Sequence, residues 1–208
     1  MHIKRQVVTK KIPITRKGSK YVALSSSHKS DSVPLVIAIR DMLKLAKTAK
    51  EVQKMINQKL LKINGKPATD LKQSIKLFNT FEADKSYILT LLPTKRFSFQ
   101  PSESSDRLCK VINKKSLKKN QTQLNLHDGS NLVSSDAKIK VGDSVTLDSQ
   151  NKVKSHIALE KGKSVFVFSG KHAGLEGQIQ EIENKKLKIK FKDEEAPAEI
   201  DQSHVIAK

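Results

Sequence analysis

Residues 59–70 read KLLKINGKPATD, and the Asn64-Gly65 pair at their centre decides how this part of the chain is organised. A two-residue type I′ turn needs positive φ at both central positions, which Asn and Gly tolerate best. Leu61 and Ile63 alternate with Lys62 before the turn, and Lys66 leads the chain back. The stretch therefore predicts a tight hairpin studded with lysines. Whether that hairpin is punctuation or part of a binding surface depends on what flanks it.

Upstream, SVPLVIAIRDMLKLAK predicts a helix capped by Ser32, with Pro34 tolerated in its first turn. Leu35, Ile39, Met42 and Ala46 form its apolar stripe, and Arg40, Lys44 and Lys47 share another face. A second helix opens at Thr48, where Thr48 and Glu51 have the spacing of a capping box. Its apolar side is Val52, Met55, Ile56 and Leu60, with Lys50 and Lys54 one turn apart. Downstream, SYILTLLP predicts a strand that Pro93 ends.

The remainder divides by pattern. Residues 1–32 are basic, serine-rich and weakly periodic, and read as a basic N-terminal extension. Residues 33–92 hold the helix pair and hairpin. Residues 93–158 offer strands and turns (RLCKVI, QTQLNLHDGSNL, IKVGDSVTLD) and predict an all-β central domain. Within them, NKKSLKKNQTQ predicts an exposed basic loop carrying Lys118 and Lys119. Residues 159–208 contain short alternating strands and tight turns, the pattern of a five-stranded SH3-like barrel. The expected fold class is α+β and multidomain.

Charge narrows the function. The 208 residues carry 40 Lys and Arg against 21 Asp and Glu, a net +19. Self-repulsion of that size is relieved by a polyanion, so nucleic acid is the leading partner. The distribution is uneven: residues 1–32 carry +7, residues 33–92 and 93–158 carry +6 each, and residues 159–208, with nine cations and nine anions, are neutral. Polyanion binding thus belongs to the first three quarters of the chain. Cations on two helices and the following hairpin, from Arg40 to Lys66, predict one convergent basic surface.

Other function classes are excluded. The six histidines, at 2, 28, 127, 156, 172 and 204, lack metal-ligand spacing. Cys109 is the sole cysteine and sits in an apolar strand pattern, as a small buried hydrophobe would. No phosphate-cradling glycine loop is present, so the expectation is a non-enzymatic protein with no cofactor, metal or small-molecule substrate. Trp is absent and no long apolar run or lipidation signal occurs, which argues against a membrane partner and for a cytoplasmic setting.

At this point the residues carry a resemblance. VPLVIAIRDMLKLAKTAKEVQKMINQKLLKINGKPATD resembles the α-L RNA-binding domain first named in ribosomal protein four. SVFVFSGKHAGLEGQI resembles a KOW motif, whose glycine-lysine loop matches Gly170, Lys171, Gly174 and Gly177. A basic start, an α-L domain, an all-β centre and a KOW unit, in that order, are similar to the e-type ribosomal protein four family of the archaeal and eukaryotic small subunit. The end of the chain soon after the KOW unit favours an archaeal member. The resemblance implies a structural protein of the ribosome that binds small-subunit rRNA and touches neighbouring ribosomal proteins. An RNA-binding module of a modification enzyme or a transcription elongation factor is the alternative. The implied RNA-binding residues are Lys4, Arg5, Arg16 and Lys17 in the extension, and Arg40, Lys44, Lys47, Lys54, Lys59, Lys62, Asn64, Gly65 and Lys66 around the hairpin. Lys118 and Lys119 follow in the central loop, and Gly170, Lys171, His172 and Gly174 in the KOW loop.

Overall fold

A computed structural model describes residues 2–118, 121–134, 138–191 and 196–208. The chain forms two compact units, Met1–Ser105 and Asp106–Lys208. Both are mostly β, with few and short helices.

The first unit begins with β1 (His2–Lys4), which pairs antiparallel with β2 (Tyr21–Ala23) and makes a two-stranded ribbon of the basic extension. β3 (Ser32–Pro34) pairs with β6 (Ser74–Lys76), so Ser32 and Pro34 lie in a strand and not at a helix cap. The Ser32 hydroxyl donates instead to the carbonyls of Ser27 and His28, at 3.0 and 2.7 Å. The helix that follows is short. α1 (Leu35–Ile37) passes into a π-helical turn over Ala38–Met42, closed by the Leu43 N–H on the Ala38 carbonyl at 2.9 Å. Lys44 then has φ 58°, which stops the helix. Arg40, Lys44 and Lys47 accordingly do not share a helix face. Leu35, Ile39 and Ala46 are buried as the apolar stripe requires.

α2 (Ala49–Asn57) forms as its local signals dictate. Thr48 accepts from the Glu51 N–H at 3.3 Å, and the Glu51 carboxylate accepts from the Thr48 N–H in return. Val52 and Ile56 pack inward, but Leu60 lies beyond the helix end and is exposed. The hairpin is present as expected: β4 (Lys62–Ile63) pairs with β5 (Lys66–Pro67) across Asn64, φ 52°, and Gly65, φ 75°. β7 (Thr80–Glu82), β8 (Ser86–Leu91) and β9 (Phe97–Pro101) complete a five-stranded sheet in the order β5-β4-β7-β8-β9. β9 is an element that Pro93 concealed in the sequence. The proline occupies the turn between β8 and β9 and leaves both strands intact.

The second unit opens with β10 (Arg107–Ser116), β11 (Thr122–Leu126), β12 (Asn131–Ser134), β13 (Ser144–Leu147) and β14 (Val153–Ile157). They form one antiparallel sheet in the order β12-β11-β10-β13-β14. Its core joins Cys109, Val111, Leu124, Leu126, Ile139, Val145 and Leu147. Burial pushes the Cys109 thiol up, in keeping with an inert packing role. Asn113–Ser116, expected in a loop, continue β10 and pair with β11. A second five-stranded antiparallel sheet, in the order β18-β17-β16-β15-β19, ends the unit. Its strands are β15 (Ser164–Val167), β16 (Glu176–Glu183), β17 (Lys186–Phe191), β18 (Ala198–Asp201) and β19 (Val205–Ala207). Val165, Val167, Ile179, Leu187, Ile189 and Val205 are fully buried or nearly so, each worth about 1.5–3 kcal/mol of burial.

Candidate nucleic-acid interface

In the first unit the extension is held by one of its own cations. The Arg5 guanidinium donates to the Ser19 carbonyl at 2.8 Å, the Thr15 carbonyl at 2.5 Å and the Ser19 hydroxyl at 3.1 Å. Arg5 therefore closes the loop over residues 6–20, a structural role that composition could not distinguish from phosphate binding. A cleft of about 1080 Å³ opens beside this loop. Lys4, Lys10, Arg16, Lys17 and Lys20 line it from the loop side. Lys95 and Arg96, on the turn between β8 and β9, line it as well. Among the described residues no carboxylate lines the cleft. The turn is fixed by its backbone, with the Lys95 N–H on the Leu92 carbonyl at 2.8 Å and the Leu92 N–H on the Arg96 carbonyl at 2.9 Å. Sequence reading missed Lys95 and Arg96 because they are some eighty residues from their partners in the cleft; PTKR is a cationic turn signal, but nothing local says where it lands.

The cations around the hairpin are more dispersed. Arg40 is half-buried and paired with Asp41 at 2.8 Å. It shares a smaller cleft of about 360 Å³ with Arg5, Asp41 and Lys72. Lys62 reaches Glu82 at 3.5 Å. Lys44, Lys47, Lys54, Lys59 and Lys66 are exposed and line neither cleft. Asn64 does more than tolerate its turn. Its Oδ1 accepts from the Thr80 N–H at 3.1 Å, and its own N–H donates to the Thr80 carbonyl at 2.9 Å, so the side chain pins the hairpin to β7.

In the last sheet, Gly170 and Gly174 have φ 91° and 93°, and the Gly174 N–H bonds the Val167 carbonyl at 2.7 Å. The His172 ring stacks on Phe191 with centroids 5.1 Å apart. Lys171, Lys186, Glu199 and Asp201 line a cleft of about 370 Å³ with Gly170 and His172, so both signs of charge meet there. Just beyond β10 Lys118 is exposed, and Lys119 lies outside the described residues. The buried cations are used internally. Arg107 pairs with Asp128 and donates to the Asn151 side chain at 2.5 Å. Burial pushes the Asp128 carboxyl up, but hydrogen bonds from Ser130 and the charge of Arg107 outweigh it and hold the group below its ordinary value. Lys110 donates to the Gln202 carbonyl and lies 5.8 Å from the Phe168 ring centroid; burial pulls its pKa down to about 8. Among the described residues no three His, Cys, Asp or Glu side chains group as a metal site. No described helix is long and apolar enough to cross a membrane.

Comparison with known proteins decides the family. The model described as Ribosomal family S4e matches residues 83–154, and that of the S4 domain matches residues 34–79. Small ribosomal subunit protein eS4 of Methanocella arvoryzae is 33% identical over 189 residues, covering 87% of this chain and 80% of the relative. The chain belongs to the S4e family of ribosomal proteins. Its relatives include eS4 of Methanocaldococcus jannaschii, 31% identical over 200 residues, with 88% of this chain and 82% of that protein covered. The crystal structure of the 30S ribosomal protein S4e from Thermoplasma acidophilum superposes with a TM-score of 0.72 at 25% identity, over 85% of this chain and 94% of that one. Membership makes this a structural ribosomal protein and not an enzyme.

The S4-domain match takes in Arg40 and the hairpin, while Lys95 and Arg96 fall within the S4e match. The cleft cations between Lys4 and Lys20 lie in neither matched segment.

Proposed function

We propose that this S4e-family chain binds small-subunit rRNA as a structural constituent of the cytoplasmic ribosome, and that the cleft beside the N-terminal loop is its principal phosphate surface. One observation carries this reading: cations from two distant stretches of sequence line a single cleft that no carboxylate among the described residues lines. Like charges held that close repel, and an RNA backbone relieves the repulsion while releasing its own counterions. Lysine gives the cleft point charges and Arg16 and Arg96 add planar forks.

The finer organisation follows the same reading. Residues 33–92 serve as the α-L module, whose helix pair and hairpin add Arg40, Lys62 and Lys66 as secondary contacts. Residues 1–32 supply part of the cleft wall. The sequence boundary at residue 93 moves, because β9 completes the first unit's sheet and the all-β centre begins at Asp106 and runs to residue 158. Residues 159–208 make an SH3-like KOW barrel. The barrel's mixed charges suit neighbouring ribosomal proteins better than bare RNA. The acids proposed for that contact include Glu194 and Glu195, outside the described residues, and Glu199, which is exposed. No membrane, cofactor or small-molecule partner enters this reading.

The test is the salt dependence of filter binding to small-subunit rRNA. Log K falls with log salt by roughly 0.9 per duplex phosphate neutralised, so a slope steeper than about −3 is expected. A near-flat dependence would overturn the electrostatic mechanism.

A further inference from the structure

The central sheet exposes a surface of different chemistry from the cleft. Along β11, Thr122, Leu124 and Leu126 are buried, and Gln123 and Asn125 alternate onto the opposite face. On β12, Leu132 packs against the core, while Asn131 and Val133 are exposed. Regular pairing of β10 would put Ile112 and Lys114 beside them. A β-bulge between Val111 and Asn113 slips the strand by one residue instead, which sets Asn113 opposite Asn125 and Lys115 opposite Gln123. Lys114 is turned to the other side, where its amine donates to the Ile139 carbonyl at 3.0 Å.

Two cross-strand rows result. Asn113, Asn125 and Asn131 stand in register across three strands, and Lys115, Gln123 and Val133 stand in register beside them. With strands about 4.8 Å apart, the three asparagines span about 10 Å. Asparagine is a poor strand former, so three in one row cost stability that a hydroxyl or β-branched residue would not. Two of the amides are oriented from within the protein. The Gln123 amide N–H donates to the Asn125 side-chain oxygen at 2.9 Å, and the Asn113 oxygen accepts from the Lys114 N–H at 2.8 Å. Each amide offers two donors and an acceptor with two lone pairs, more than these bonds use.

We infer that this face is a second RNA contact, in which the asparagine row hydrogen-bonds base edges and ribose 2′-hydroxyls. It rests on the reading that rRNA is the partner, but it assigns a different surface and a different kind of contact. None of the six positions holds a carboxylate, and Lys115, with exposed Lys118 just beyond the strand, favours a polyanion over an acid-poor protein surface. Paired donors and acceptors suit base edges and 2′-hydroxyls, the groups by which a protein distinguishes RNA. Exposed Val133 and Ile112 provide apolar area against a sugar or base. The cleft grips phosphates irrespective of sequence, whereas this row supplies register.

Amide contacts displace no counterions, and that separates the two surfaces experimentally. Full-length wild type, the double variant Asn125→Ala/Asn131→Ala and Lys115→Gln are compared by filter binding to small-subunit rRNA at several salt concentrations, with circular dichroism as the check on folding. The double variant is expected to bind about tenfold more weakly with an unchanged salt slope, from two lost hydrogen bonds. Lys115→Gln should make the slope shallower by about 1. If the double variant does not fold, Asn131→Thr on the edge strand replaces it, with a loss of about threefold expected. Affinity within the error of wild type, for a folded variant, overturns the inference. So does normal binding to naked rRNA with impaired incorporation into subunits, which would assign the face to a protein. A steep, cleft-dependent wild-type affinity that is indifferent to the asparagines leaves the proposed function standing and removes this inference alone. A flat salt dependence of the wild type removes the cleft as the phosphate surface but leaves the asparagine row to the double variant, and no measurable wild-type affinity for rRNA removes both.

Discussion

The cleft of the first unit and the last sheet of the second are built from the same residue types and do opposite things with them. In the cleft, lysines and arginines from the N-terminal loop and the 92–96 turn line one space, and among the described residues no carboxylate lines it with them. In the last sheet each exposed cation with a resolved partner meets an acid across or along the strands. Lys186 reaches Glu199 at 3.5 Å, Lys188 reaches Glu181 at 2.9 Å, and Lys208 reaches Glu176 at 2.7 Å. Glu181 and Glu183 accordingly drive the Lys188 ammonium pKa upward. Charge that is matched within the fold has little left for a ligand; charge that converges without a counterion is an unfinished interaction. What distinguishes a binding surface is therefore the pairing of its cations and not their number.

The comparison can be broken most severely where a cation is paired in the interior. Arg107→Ala strips the buried Asp128 of its counterion and should cost about 3–5 kcal/mol in urea unfolding. A loss below about 1 kcal/mol would mean that the pair is not desolvated as described. Next in size is the cleft itself. Lys17→Glu/Lys95→Glu/Arg96→Glu should weaken rRNA binding by on the order of a few hundredfold at about 0.1 M salt, with a shallower salt slope. The loss should arise without a change in the unfolding midpoint.

Lys110 sharpens the comparison because it is buried with a backbone carbonyl and an aromatic ring as its partners among the described residues. Between about pH 8, its folded-state value, and about 10.5, its unfolded value, the folded chain releases this proton and the unfolded chain keeps it. The unfolded state then binds more protons, so this group's contribution to stability rises with pH through that window, by on the order of 2–3 kcal/mol. Lys110→Met should abolish the rise, measured as the difference between variant and wild type in urea unfolding from pH 7 to 10.5. Equal pH profiles would refute the assignment. The smallest effect is expected in the last sheet. Lys188→Ala removes an exposed pair and should leave both the unfolding midpoint and affinity for naked rRNA within error. A loss of rRNA affinity comparable to that of the cleft variant would show that total charge, and not its pairing, governs binding.

Features that depend on a few neighbouring residues were legible in the chain alone. The Asn64-Gly65 turn was legible because positive φ is a cost set within the residue itself. The Thr48–Glu51 box was legible because both of its hydrogen bonds close over three residues. The alternation in TQLNL likewise fixed which side chains of β11 are buried. The other features came from contacts between distant segments. Ser32–Pro34 is a strand because residues 74–76 lie beside it, and that pairing outweighs a local cap signal. Asn113 faces outward because of a bulge whose register is set by β11, not by β10's own pattern. Lys95 and Arg96 join Lys4 and Arg16 because β8 and β9 return the chain to the N-terminal loop. Local preferences are worth a few tenths of a kcal/mol to about one, and a packed strand or a closed sheet overrides them. Where cations meet is for that reason a property of the fold, whereas how many there are is written in the sequence.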